Sequence, residues 1–178
     1  MRGHLGYHGA RMESTVLELR LAPEWDAILS AWEPCFATLS RAGLSDDERA
    51  SLCMVARELL ENAVKYGGFG EGEAVELTLR ASRDEVIIEV RNPLHGVAPE
   101  QLRRFDQAVQ WIRGYQDPFE AYVEKMKELS SEPYRDGKSG LGLTRIAYEG
   151  RSIVDFYVEP SDKLAVSAVY LRGGEARP

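Results

Sequence analysis

The sequence predicts an α+β fold with helices on one face of a mixed, mainly antiparallel sheet. Residues 14–21, 74–81 and 85–91 alternate apolar and polar side chains, as half-buried strands do. Other stretches repeat apolar residues every three or four positions, the period of an amphipathic helix. The two kinds run in the order β-α-α-β-β-α-α-α-β-β, which lacks the regular strand–helix alternation of a parallel α/β sheet.

The first strand, residues 14–21, is followed by Pro23, which opens a helix over 23–42. That helix is carried by Trp25, Ile28, Leu29, Trp32, Phe36 and Leu39, closed by Gly43, and open to a kink at Pro34. Ser45 is an N-cap with Glu48 in capping-box register, and the helix it starts runs through Leu52, Val55, Leu59 and Ala63 to Gly67. Strands at 74–81 and 85–91 form a hairpin through Ser82-Arg83-Asp84. Two helices follow, 99–114 and 118–129, and then a polar stretch, 130–139, without periodicity. A long insertion of this kind reads as a lid over a ligand, spanning about 97–139. A helix over 141–148 and strands at 152–158 and 163–171, parted by Pro160-Ser161-Asp162, complete the domain. Residues 1–13 and 173–178 read as tails flanking a single domain at 14–172.

A chain of 178 residues with 44% hydrophobic content fits one soluble domain with a sizeable core. A net charge of −7, with no cluster of Lys and Arg, argues against a general nucleic-acid binder. Without an apolar run near the ~20 residues that span a bilayer, or an apolar signal core at the start, the expected location is cytoplasmic. Cys35 and Cys53 are too few and too isolated for a disulfide framework or a cysteine-rich zinc site, and read as reduced core thiols.

Two motifs carry chemistry. In Ala56-Arg57-Glu58-Leu59-Leu60-Glu61-Asn62-Ala63-Val64-Lys65-Tyr66-Gly67-Gly68, Glu58 and Asn62 are four apart and share one helix face. Such a pair suits a magnesium ion held through Asn62, a water or hydroxyl positioned by Glu58, and a phosphate touched by Lys65. Glu61 does not share that face with Asn62 and reads as a solvated residue. Downstream, Asp136-Gly137-Lys138-Ser139-Gly140-Leu141-Gly142-Leu143 is a glycine-rich turn leading into an apolar helix, where backbone N–H groups can approach phosphates. Its Gly-Lys-Ser is not a Walker loop, because the motif's opening glycine, four intervening residues upstream, and the preceding buried strand are both missing.

At these residues the chain resembles the ATP-binding domain of the GHKL superfamily (gyrase, Hsp90, histidine kinase and MutL), whose fold is a Bergerat-type two-layer sandwich. It is most similar to the stand-alone anti-sigma-factor serine kinases and SiaB-like regulators of that group. The resemblance implies ATP and Mg2+ as cofactors, with Glu58 as catalytic base and Asn62 as magnesium ligand. It also implies Lys65 near a phosphate, and Ser139, Gly140, Leu141, Gly142 and Thr144 along the phosphate loop. Where the superfamily places Asp-x-Gly-x-Gly after the third strand, this chain has Asn92-Pro93-Leu94-His95-Gly96. Asn92 can still accept from an adenine amino group, and Gly96 stands in for a lost glycine.

The function this implies is that of an ATP-dependent serine/threonine kinase of the partner-switching type, acting on a small regulatory protein. The alternative is a nucleotide-regulated or nucleotide-free module that sequesters a signalling partner without phosphotransfer. A histidine kinase is disfavoured, since His4, His8 and His95 lie on no long dimerisation helix. Stand-alone kinases of this kind often form homodimers, although nothing in the sequence fixes an interface.

Overall fold

The protein is described by a computed structural model covering residues 14–131 and 140–173. Its five strands are β1 (Thr15–Leu21), β2 (Val75–Ala81), β3 (Glu85–Pro93), β4 (Ser152–Val158) and β5 (Lys163–Leu171). They form one sheet in the order β1-β2-β3-β5-β4, with every neighbouring pair antiparallel. The sequence allowed a mixed sheet; the pairing is antiparallel throughout, apart from an isolated parallel bridge between Gly68 and Leu94.

The pleat explains why the helices gather on one side. Along β3, Val86, Ile88, Val90 and Asn92 are buried, while Glu85, Ile87, Glu89 and Arg91 between them stay partly exposed. Leu77 and Leu79 of β2 and Val166, Ala168 and Tyr170 of β5 join the buried set, and α3 (Asp46–Tyr66) crosses that face. From α3, Leu52, Val55, Leu59 and Leu60 enter the same core with 2% exposure or less. Each such side chain contributes about 1.5–3 kcal/mol by leaving water.

Local signals set the ends of α3. Ser45 accepts from the Glu48 backbone N–H, and Glu48 accepts from the Ser45 N–H at 2.8 Å, so the capping box forms as the spacing predicts. Glu48 also accepts from the Tyr170 hydroxyl at 2.8 Å, which ties the start of α3 to β5.

The helix predicted over 23–42 is two helices, α1 (Trp25–Ser30) and α2 (Trp32–Arg41), separated at Ala31. Pro34 is the physical reason: it cannot donate to the Ser30 carbonyl and its ring crowds that group, so the chain breaks one turn before the proline. Pro34 thereby falls in the first turn of α2, where its missing N–H leaves nothing unpaired.

Within the lid range, α4 (Pro99–Arg113) and α5 (Pro118–Ser131) are docked on the domain. Phe105 packs edge-on to Phe156, and Arg113 donates to the Val154 carbonyl at 2.9 Å on the outer edge of β4. Phe119 and Tyr122 pack on Tyr148 of α6 (Gly142–Tyr148). The rest of that range, 132–139, lies outside the described residues, as do 1–13 and 174–178.

Candidate functional site

Glu58 and Asn62 lie side by side on the flank of α3 that meets the start of α6. Gly142, the first residue of α6, makes this meeting possible. A Cβ there would stand 2.7 Å from Glu58 Oε2 and 3.6 Å from Asn62 Nδ2. Any side chain at 142 would occupy the space these two polar groups face.

Glu58 is only 8% exposed, yet it is ionisable. Burial pushes its carboxyl above the ordinary value, and the Arg145 guanidinium is the strongest force in the other direction. Arg145 Nη1 donates to Glu58 Oε1 at 2.5 Å, while Nε and Nη2 fork onto Glu149 at 3.0 and 3.1 Å. One guanidinium thus serves two carboxylates, one inside the site and one on the surface of α6. Glu58 Oε2 is left facing Gly142.

Asn62 Nδ2 is buried with no hydrogen-bond partner among the described residues. An unpaired buried amide group costs about 1–3 kcal/mol, so this N–H calls for a partner beyond the described residues. An amide group there could donate to a phosphate oxygen through Nδ2 or, turned by half, offer Oδ1 to a divalent cation. The described residues hold no cluster of three or more His, Cys, Asp or Glu that could cage a metal. A magnesium ion would therefore fit here as it does in many nucleotide sites, through one protein oxygen plus phosphates and water.

The remaining sequence candidates take varied positions. Lys65 Nζ lies 3.3 Å from Glu61 and 5.5 Å from the Trp25 ring centroid, engaged at the outer rim of α3. Glu61 bridges Arg57 and Lys65, one turn to either side, and its side chain is partly buried rather than freely solvated. Asn92 is 2% exposed on the inner face of β3, and its amide donates to the Pro93 carbonyl at 3.0 Å, leaving its oxygen to accept. Gly96 has φ +68° in a turn closed by Val97 N–H to the Leu94 carbonyl, so its conformation serves the turn. Gly140 has φ +59°, and a Cβ there would press on Lys125 of α5. The Leu141 carbonyl accepts from the Thr144 hydroxyl at 2.8 Å, and Thr144 itself is 2% exposed. Ser139 lies outside the described residues. His95, in the same loop as Gly96, pairs with Glu73 at 3.0 Å.

Against known proteins, the sequence profile of the family described as histidine kinase-, DNA gyrase B-, and HSP90-like ATPase matches residues 47–155, more than half of the chain. The chain belongs to that ATPase family. No curated protein matches it in sequence. Among solved structures, a chain of the SiaB–SiaC complex from Pseudomonas aeruginosa superposes with a TM-score of 0.62 at 17% identity, covering 88% of this chain and 91% of that one. At that identity the likeness is one of fold, and it agrees with the two-layer sandwich expected of the GHKL group.

The family profile includes Glu58, Asn62, Asn92 and Gly142, so the α3–α6 contact lies inside the matched ATPase domain. Arg145 joins the candidate site without having been singled out from the sequence. Its i,i+4 spacing to Glu149 was visible, but the contact with Glu58 depends on how α6 packs on α3. A cavity of about 300 Å3 lies on the opposite side of α3, walled by Ile28, Trp32, Cys35, Cys53 and Leu60, and is separate from this site. No helix among the described residues is long and apolar enough to cross a membrane.

Proposed function

We propose that this ATPase-family domain binds Mg-ATP beside Glu58, Asn62 and Gly142 and transfers phosphate to a serine or threonine of a small regulatory protein. The unpartnered Asn62 amide at the Gly142 contact is the observation that carries the reading. Bound ATP would supply the phosphoryl group, and magnesium would offset its charge. Asn62 holds the cation, and Glu58 Oε2 accepts the proton of the acceptor hydroxyl or orients it. The Asn92 carbonyl accepts from the adenine amino group. Gly140, Leu141 and Gly142 let the backbone close on phosphate, with Thr144 fixing the first turn of α6. Ser139 and Lys65 are the further phosphate contacts of this reading, and Gly96 shapes the loop beside the base.

The Glu58–Arg145 pair favours a second reading. A base whose Oε1 is held by a guanidinium is a weaker proton acceptor, as suits a module that binds nucleotide and partner without phosphotransfer. Incubation with γ-labelled ATP and a fractionated extract separates the two. The kinase reading expects an acid-stable serine or threonine label on a small protein with wild type and none with Glu58→Gln. Mg-ATP binding without any label would leave the binding module.

A further inference from the structure

Resting on the nucleotide-site reading above, we infer that Arg145 is a phosphate-responsive latch on Glu58. It holds Oε1 in the free protein and turns its Nη1 to phosphate when nucleotide arrives, which releases the carboxylate for the acceptor hydroxyl. Three observations carry this. Arg145 reaches Glu58 through Nη1 alone, whereas Nε and Nη2 fork onto Glu149. The guanidinium can therefore exchange its inner partner while Glu149 keeps it anchored on α6. The exchange takes place one turn from Gly142, where Glu58 and the unpaired Asn62 amide meet. Finally, Arg145 is the cation in direct ion-pair contact with Glu58 among the described residues.

The charges around the pair make the exchange favourable in direction. Glu58 is attracted by Arg145 and, more distantly, by Arg57 and Lys65 of α3, and repelled by Glu61. From α5, Tyr122 faces Arg145, and Lys125 lies against Gly140. A triphosphate carries more negative charge than one carboxylate and offers several acceptors to a guanidinium fork. Glu58 is mostly buried against Gly142, so its carboxylate, once released, has little room to leave this position.

A double-mutant cycle on Mg-ATP binding by calorimetry tests the latch, with Arg145→Gln, Glu58→Gln and the double variant. The latch predicts that Arg145→Gln weakens Mg-ATP by about tenfold while leaving adenosine binding unchanged, because adenosine has no phosphate. Glu58→Gln should tighten Mg-ATP, and by clearly more when Arg145 is present than in the Arg145→Gln background, because only then is there a latch to open. Arg145→Lys, which keeps the charge and loses the fork, should recover part of the lost affinity and guards against misfolding of the glutamine variant. Equal tightening in both backgrounds, or none, would make Arg145 a structural staple between α3 and α6. Mg-ATP affinity unchanged in Arg145→Gln would do the same. Absence of Mg-ATP binding in wild type and every variant would overturn the nucleotide site and the latch together, an outcome distinct from binding without coupling.

Discussion

Glu58 and Gly142 belong to elements far apart in sequence, yet the glycine's missing Cβ is what leaves room for the carboxylate: an added methyl would lie 2.7 Å from Oε2. The atom it meets is the end of a flexible side chain, so the collision can be relieved by moving Glu58 alone. Gly142→Ala should therefore change stability by less than about 1 kcal/mol while impairing Mg-ATP binding and any phosphotransfer. Gly150→Ala is the control. Its Cβ would run into Val55 Cγ2 and the Ile146 carbonyl, so it should destabilise by about 1–3 kcal/mol. Denaturant unfolding of both variants checks the contrast, and a large stability loss in Gly142→Ala would refute it.

Glu58 itself is held at a cost to the fold. Burial raises its carboxyl above the ordinary value of 4.5, so the folded state binds that proton more tightly than the unfolded chain does. The sign follows: stability is lost as pH rises from the ordinary value through the raised one, and the penalty is complete above it. In magnesium-free buffer near neutral pH, Glu58→Gln should unfold at or above the wild-type temperature. The difference should fade in acid. Arg145 keeps its fork on Glu149 in that variant, so no charge is stranded. A midpoint several degrees lower would contradict this.

Glu48 has the opposite sign. The Ser45 backbone N–H, then the Ser45 and Tyr170 hydroxyls, hold its carboxyl below 4.5. Its stabilisation is present above that ordinary value and disappears as pH falls through the lower folded one. Ser45→Ala should cost about 1 kcal/mol at neutral pH and less in strong acid, where Glu48 is protonated in both states. Denaturant titrations at neutral and acidic pH measure both quantities, and a pH-independent cost would argue against the coupling.

The cysteines give a chemical check on the packing of α2 against α3. Burial pushes Cys35 up to about 12 and Cys53 up to about 11, with Cys53 adding to the effect on Cys35. Neither thiol should react appreciably with an alkylating reagent near neutral pH until the protein is unfolded, because the thiolate is the nucleophile. Rapid labelling of the native protein, followed by mass spectrometry, would show that this side of the core is open.

Much of the fold was legible because its signals are local. Ser45 and Glu48 mark a helix start by spacing alone, and the last two strands were read with the bounds that β4 and β5 take. The break at Ala31 was missed, because the sequence was read as one helix open to a kink at Pro34 whereas a proline acts one turn upstream of itself. The candidate site was legible on α3 and in the glycine turn that opens α6, but not in the pairing between the two helices. Glu58 and Asn62 declare themselves by four-residue spacing, whereas Arg145 meets Glu58 across 87 residues of sequence, and only the packing of α6 on α3 brings them together. Lys65 shows the converse. Its spacing suggested a phosphate contact, and the packing adds two neighbours that the spacing did not reveal, Glu61 on α3 and Trp25 of α1.

The central claim is that Asn62 and its neighbours form a magnesium–nucleotide site, and a calorimetric titration of wild type and Asn62→Ala with Mg-ATP tests it most directly. The account predicts saturable, magnesium-dependent binding to wild type that weakens by about tenfold or more in Asn62→Ala, with both proteins folded by circular dichroism. No binding to folded wild type, or equal binding to both proteins, would contradict it.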